Sequence, residues 1–68
     1  MRIEVEFHPG GEERTVELPP KSSGTDLVKA LGLAPDAHIL VRDETPIPED
    51  EALRAGDRIR IIAVVSGG

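Results

Sequence analysis

The chain contains no cysteine, which removes disulfide staples, thiolate metal sites and thiol nucleophiles together. Phe7 is its one aromatic residue, and only 8 basic residues face 13 acidic ones, for a net charge of −5. A nucleic-acid surface needs cations for phosphates and rings for bases, so no direct nucleic-acid partner is expected. No apolar run is long enough to cross a bilayer, and no basic-then-apolar leader pattern opens the chain. A reducing cytoplasmic setting away from the membrane is the expectation. His8 and His38 fall in different elements, so no metal site is expected. The acidic run Glu49-Asp50-Glu51 reads as a solvated loop, because carboxylates without an ordered loop hold cations weakly. No Gly-rich phosphate loop opens a helix, and no Ser-His-Asp spacing is interpretable. A small enzyme, or a chain with its own bound cofactor, is therefore disfavoured.

What is present is a set of short periodic segments separated by strong turn signals. Arg2-Ile3-Glu4-Val5-Glu6-Phe7 alternates polar and apolar, which predicts a half-buried strand with Ile3, Val5 and Phe7 inward. Pro9-Gly10-Gly11 turns the chain, and residues 13–18 alternate again with Val16 and Leu18 inward, which completes a hairpin. Pro19-Pro20 ends the second strand, since neither nitrogen can donate to a ladder. Leu27, Val28 and Leu31 then recur at helical spacing, with Thr25 read as the N-cap and Gly32 as the stop. Leu33 is expected to remain in the core. His38-Ile39-Leu40-Val41-Arg42 is a third strand, but three consecutive apolar residues leave its inward set open. Thr45-Pro46-Ile47-Pro48 can form only a short edge strand. Leu53 re-enters the core, and Ala55-Gly56-Asp57 turns into the last strand.

The last strand is apolar on both faces. Ile59, Ile61, Ala63 and Val65 share one face, expected to be the core face, while Arg60, Ile62 and Val64 share the other. Such a strand is usually central, often beside a parallel neighbour, and its second face can carry a partner surface. It runs directly into Gly67-Gly68. Glycines have no Cβ to obstruct passage through a narrow cleft, and their chain entropy is high. The expected organisation is a domain of residues 1–65 and a flexible Gly-Gly tail of residues 66–68. One helix packed across one face of a four- to five-stranded mixed sheet makes this an α+β chain.

The segments Thr25-Asp26-Leu27-Val28-Lys29-Ala30-Leu31, Val41-Arg42-Asp43-Glu44-Thr45-Pro46-Ile47-Pro48-Glu49-Asp50 and Ala55-Gly56-Asp57-Arg58-Ile59 are each weak signals. Their order and spacing, with the closing Gly-Gly, together resemble the ubiquitin-like β-grasp proteins. Within these the chain is similar to sulfur carriers of the ThiS and MoaD type, and most similar to small archaeal modifier proteins. The resemblance spans essentially the whole chain. It implies parallel first and last strands at the sheet centre, Leu40 inward, and an open face bearing Ile39, Val41, Ile62 and Val64 as partner contacts. Two departures stand out. Glu44 occupies a turn position where many relatives have Gly, and Val64-Val65-Ser66 replaces the basic run that precedes the tail of ubiquitin.

The chemistry implied by the resemblance centres on the carboxylate of Gly68, presented through Gly67. A partner adenylating enzyme of the ubiquitin-activating type would use ATP and magnesium to activate it. Sulfur from a donor or sulfurtransferase would then give a thiocarboxylate, serving tRNA thiolation or the biosynthesis of thiamine or molybdopterin. Attack by a target-protein lysine would instead give an isopeptide. For self-conjugation the side-chain acceptors are Lys21 and Lys29, the chain's only lysines, beside the N-terminal amine. A rival reading keeps the fold but not the chemistry, as a non-covalent module working through its open sheet face.

Overall fold

Alternation at residues 2–8 gives β1 (Arg2–His8), and its antiparallel partner β2 (Glu13–Glu17) follows across the Pro-Gly-Gly turn, with Ile3 opposite Val16 and Val5 opposite Arg14. The computed structural model describes residues 1–64. After β2 come helix α1 (Gly24–Ala30), a 3₁₀ turn (Pro35–Ala37), β3 (His38–Arg42), β4 (Thr45–Ile47) and β5 (Arg58–Ala63). The five strands form one sheet in the order β2-β1-β5-β3-β4. β1 and β5 are parallel and central, whereas β3 runs antiparallel to both β5 and β4. This is the β-grasp arrangement that the sequence suggests. The tail expected at Ser66, Gly67 and Gly68, and the inward setting of Val65, lie outside the described residues.

The core lies between the sheet and the helix. Ile3, Val5, Leu18, Leu27, Val28, Leu40, Leu53, Ile59 and Ile61 are buried, and Met1, Phe7, Val16, Leu31, Leu33 and Ile47 pack against them. Burial of each such aliphatic chain contributes about 1.5–3 kcal/mol. That supply matters because a seven-residue helix is marginal without tertiary packing. Leu40 settles the open question in β3: it pairs with Ile61, is buried, and leaves Ile39 and Val41 on the other face. Phe7 is only half-buried, and the Arg14 guanidinium covers its ring at 5.6 Å from the centroid.

Two expectations are corrected. The N-cap is Ser23, not Thr25. Ser23 Oγ accepts from the Asp26 amide at 3.3 Å, and Asp26 Oδ2 accepts from the Ser23 amide at 2.8 Å, a reciprocal capping box. The Thr25 hydroxyl instead donates to the Glu49 carbonyl at 3.0 Å. Ala63, expected on the core face, is exposed, because its pair with His38 lies two residues beyond the buried Leu40–Ile61 pair and past the end of the core.

The segment between β4 and β5 is a strap rather than a free loop. The Gly24 amide donates to the Glu51 carbonyl at 3.1 Å, and the Thr25 amide donates to the Glu49 carbonyl at 2.7 Å. These bonds satisfy helix N-terminal donors that have no partner within the helix. The strap comes so close that a Cβ on Gly24 would lie 2.9 Å from the Glu49 carbonyl oxygen and would also collide with Leu40.

Candidate docking face and base of the tail

Strand alternation builds the site. On β5, Ile59 and Ile61 turn to the core, so Arg58, Arg60, Ile62 and Val64 fall on the face away from the helix. Register adds neighbours on that face: Ile39 and His8 flank Ile62, Val41 and Glu6 flank Arg60, and Glu4 lies beside Arg58. All four residues expected as partner contacts thus share one face. Ile39 and Val64 are the exposed large hydrophobic residues of the described chain, at 44% and 45% accessibility, while Ile62 and Val41 are half-buried. The Val64 amide donates to the Ala37 carbonyl at 2.9 Å, so the chain is held to the fold up to the last described residue.

Beside this apolar group the face carries ion pairs. Arg60 pairs with Glu6 at 2.8 Å and Arg58 pairs with Glu13 at 2.7 Å. The hydrogen bond from Arg60, reinforced by its charge, holds the Glu6 carboxyl below the usual carboxylate range. A cleft of about 290 Å³ opens between Glu6, Val41, Arg58, Arg60 and the β3–β4 turn residues Asp43 and Glu44. Those turn residues have φ values of 53° and 63°, so the two-residue hairpin departs from the strand conformation at both positions. Glu44 therefore does adopt a left-handed backbone conformation, which favours glycine.

The lysines lie elsewhere. Lys29 is exposed in the last turn of α1. Lys21 is exposed in the β2–α1 connection at φ 70°, lining a groove with Leu18, Pro19, Pro20, Asp26 and Ala30. The Met1 amine donates to the Leu18 carbonyl at 2.6 Å. His8 and His38 project to opposite faces, and among the described residues no group of three His, Asp or Glu side chains is placed to hold a metal.

One cluster was not foreseen. The Arg42 guanidinium donates to Glu51 at 2.8 Å, to Asp57 at 3.2 Å and to the Ala52 carbonyl at 3.3 Å. Asp57 also accepts from the Arg54 amide at 2.9 Å. Glu51, read from sequence as part of a solvated loop, is a structural anchor for the strap. The bond to Glu51 first, then Asp57, raises the Arg42 pKa further.

The family model for small archaeal modifier protein 2 matches residues 1–65. The chain belongs to that family. It is similar to small archaeal modifier protein 2 of Haloferax volcanii, at 36% identity over the full length of both chains. Among solved structures it resembles SAMP1 from Haloferax volcanii, with a TM-score of 0.77, 21% identity and complete coverage of both chains. It also resembles a putative molybdopterin converting factor, subunit 1, from Pyrococcus furiosus, with a TM-score of 0.75 at 19% identity. That similarity covers 94% of this chain and 98% of the other. At such identities the structures establish the ubiquitin-like β-grasp fold alone. Family membership rests on the family model and the full-length relative.

Proposed function

We propose that this chain is a ubiquitin-like carrier or modifier whose reacting group is the Gly68 carboxylate. A carboxylate resists nucleophiles because its charge repels them and oxide is a hopeless leaving group. Attack of a Gly68 carboxylate oxygen on the α-phosphorus of ATP expels pyrophosphate and leaves a mixed anhydride with AMP. Hydrosulfide released by a sulfur donor and attacking that acyl carbon expels AMP and leaves a thiocarboxylate. Alternatively, an enzyme thiol expels AMP to form a thioester, and a lysine amine displaces the thiol to form an isopeptide. The partner enzyme would hold ATP and magnesium and stabilise the charge developing in phosphoryl transfer. This chain's part is to dock and to present the tail.

The observation that carries the reading is the position of Gly67-Gly68, four residues beyond the end of central strand β5 in a member of this family. The apolar group Ile39, Ile62 and Val64, on the sheet face that the helix does not cover and at the same end of that strand, supports a docking role. The test is ATP–pyrophosphate exchange by the cognate adenylating enzyme. Exchange should depend on this chain and should be lost when one leucine is added after Gly68. Exchange that survives the addition would favour the non-covalent module instead.

A further inference from the structure

The two edges of the sheet are not equivalent. β4 is three residues long and has Pro46, which lacks an N–H, at its centre. Short length and proline are standard ways of closing an edge to further pairing. β2 has five residues and no proline. Its hydrogen-bond phase is fixed at both ends. The Phe7 amide donates to the Glu12 carbonyl at 2.7 Å, and the Leu18 amide donates to the Met1 carbonyl at 2.9 Å. Alternation between these points turns the main-chain groups of Arg14 and Val16 toward β1. Those of Glu13, Thr15 and Glu17 turn outward. All three residues are exposed, and among the described residues no other element bonds to their main chain. The edge thus offers a row of unpaired donors and acceptors.

The side chains on this edge select what can use it. Glu13, Thr15 and Glu17 project from the open face, where the Thr15 hydroxyl donates to Glu4 at 3.0 Å. A second copy pairing antiparallel about Thr15 would set Glu13 against Glu17 twice, and like charges directly opposite are destabilising. The net charge of −5 opposes self-pairing further. A basic strand meets the opposite situation. Glu13 and Glu17 already accept from Arg58 at 2.7 Å and from Arg2 at 3.4 Å, but both are exposed pairs that contribute little. Each carboxylate retains lone pairs for another donor.

We propose that the outer edge of β2 is a strand-addition site for an extended basic segment of a partner protein. Two Lys or Arg residues four apart face Glu13 and Glu17, with a small or β-branched residue opposite Thr15. Main-chain bonds to Glu13, Thr15 and Glu17 supply the attachment, and the flanking charges supply register and the preference for a basic over an acidic segment. The edge lies two strands from β5 and leaves the apolar group of Ile39, Ile62 and Val64 uncovered, so its use is separate from docking through that group.

The test uses the whole chain with a capped peptide, Thr-Lys-Val-Thr-Val-Lys-Thr, and a control with both lysines replaced by glutamate. With the lysine peptide at millimolar concentration, amide exchange at Glu13, Thr15 and Glu17 should slow at least tenfold, with Arg14 and Val16 unchanged. Thr15→Pro removes an outward N–H without removing a β1–β2 bond and should abolish the effect. If that variant does not fold, Glu13→Lys with Glu17→Lys should reverse the preference in favour of the glutamate peptide. Equal binding of the two peptides, no protection at millimolar lysine peptide, or protection centred on Ile39 and Ile62 would overturn the proposal. So would unchanged binding by a folded Thr15→Pro variant, or by the double lysine variant.

Discussion

Ile39 on β3 and Ile62 on β5 stand directly opposite each other across an antiparallel pair, on the sheet face that the helix does not cover. Ile39 is 44% exposed, and on the proposed reading a docked partner completes its apolar contact. Replacing Ile39 with Asp removes that contact without opening the core. Chemical denaturation should show a loss of no more than about 1 kcal/mol, the range of strand-surface preferences. The KM of the activating enzyme for this chain should rise by roughly tenfold, equivalent to about 1.4 kcal/mol of docking energy. An unchanged KM would remove Ile39 from the docking surface.

The β3–β4 turn stores strain at a known position. Glu44 has φ 63°, a conformation that costs an L-residue with a Cβ roughly 1–2 kcal/mol and costs glycine far less. Glu44→Gly should therefore raise the urea midpoint with an unchanged m-value, corresponding to about 1 kcal/mol of added stability. Asp43, with φ 53°, belongs to the residue types that tolerate this region and should gain less from the same change. A destabilised Glu44→Gly variant would show that the Glu44 side chain makes a compensating contact.

The Arg60–Glu6 pair has a pH signature. Because Arg60 lowers the folded-state pKa of Glu6, the pair stabilises the fold above the ordinary glutamate range and loses that contribution as pH falls through the lowered value. Carboxyl ¹³C titration should place Glu6 below an unperturbed glutamate, and Arg60→Gln should move it upward. The overall stability change should be small, since both groups meet solvent. A Glu6 midpoint unmoved by Arg60→Gln would sink the assignment.

Much of this architecture could be read from periodicity because most strands bury one face. Ile3 and Val5 in β1, and Ile59 and Ile61 in β5, mark the core face at a spacing of two and are buried. The run Ile39-Leu40-Val41 gives no phase by itself, and the Leu40–Ile61 pairing decides it. The helix start failed differently. Ser23 and Thr25 are both capping residue types, and the local signal that separates them is Asp26, three residues after Ser23. Arg42 carries no such signal. Its partners Glu51 and Asp57 are nine and fifteen residues away and meet it only through the strap. Of the candidate site, the shared placement of Ile39, Val41, Ile62 and Val64 on the uncovered sheet face was legible from a two-sided apolar strand and a family resemblance. The open edge of β2 was not, because it depends on hydrogen-bond phase.

The most direct measurement is the intact mass of this chain after incubation with its adenylating enzyme, ATP, magnesium and hydrosulfide. The mass should rise by the difference between one sulfur and one oxygen, with fragmentation placing the change on Gly68. A variant lacking Gly68 should show no change. An unmodified wild-type chain, under conditions where the same enzyme thiocarboxylates another carrier, would contradict the proposed role of the Gly68 carboxylate.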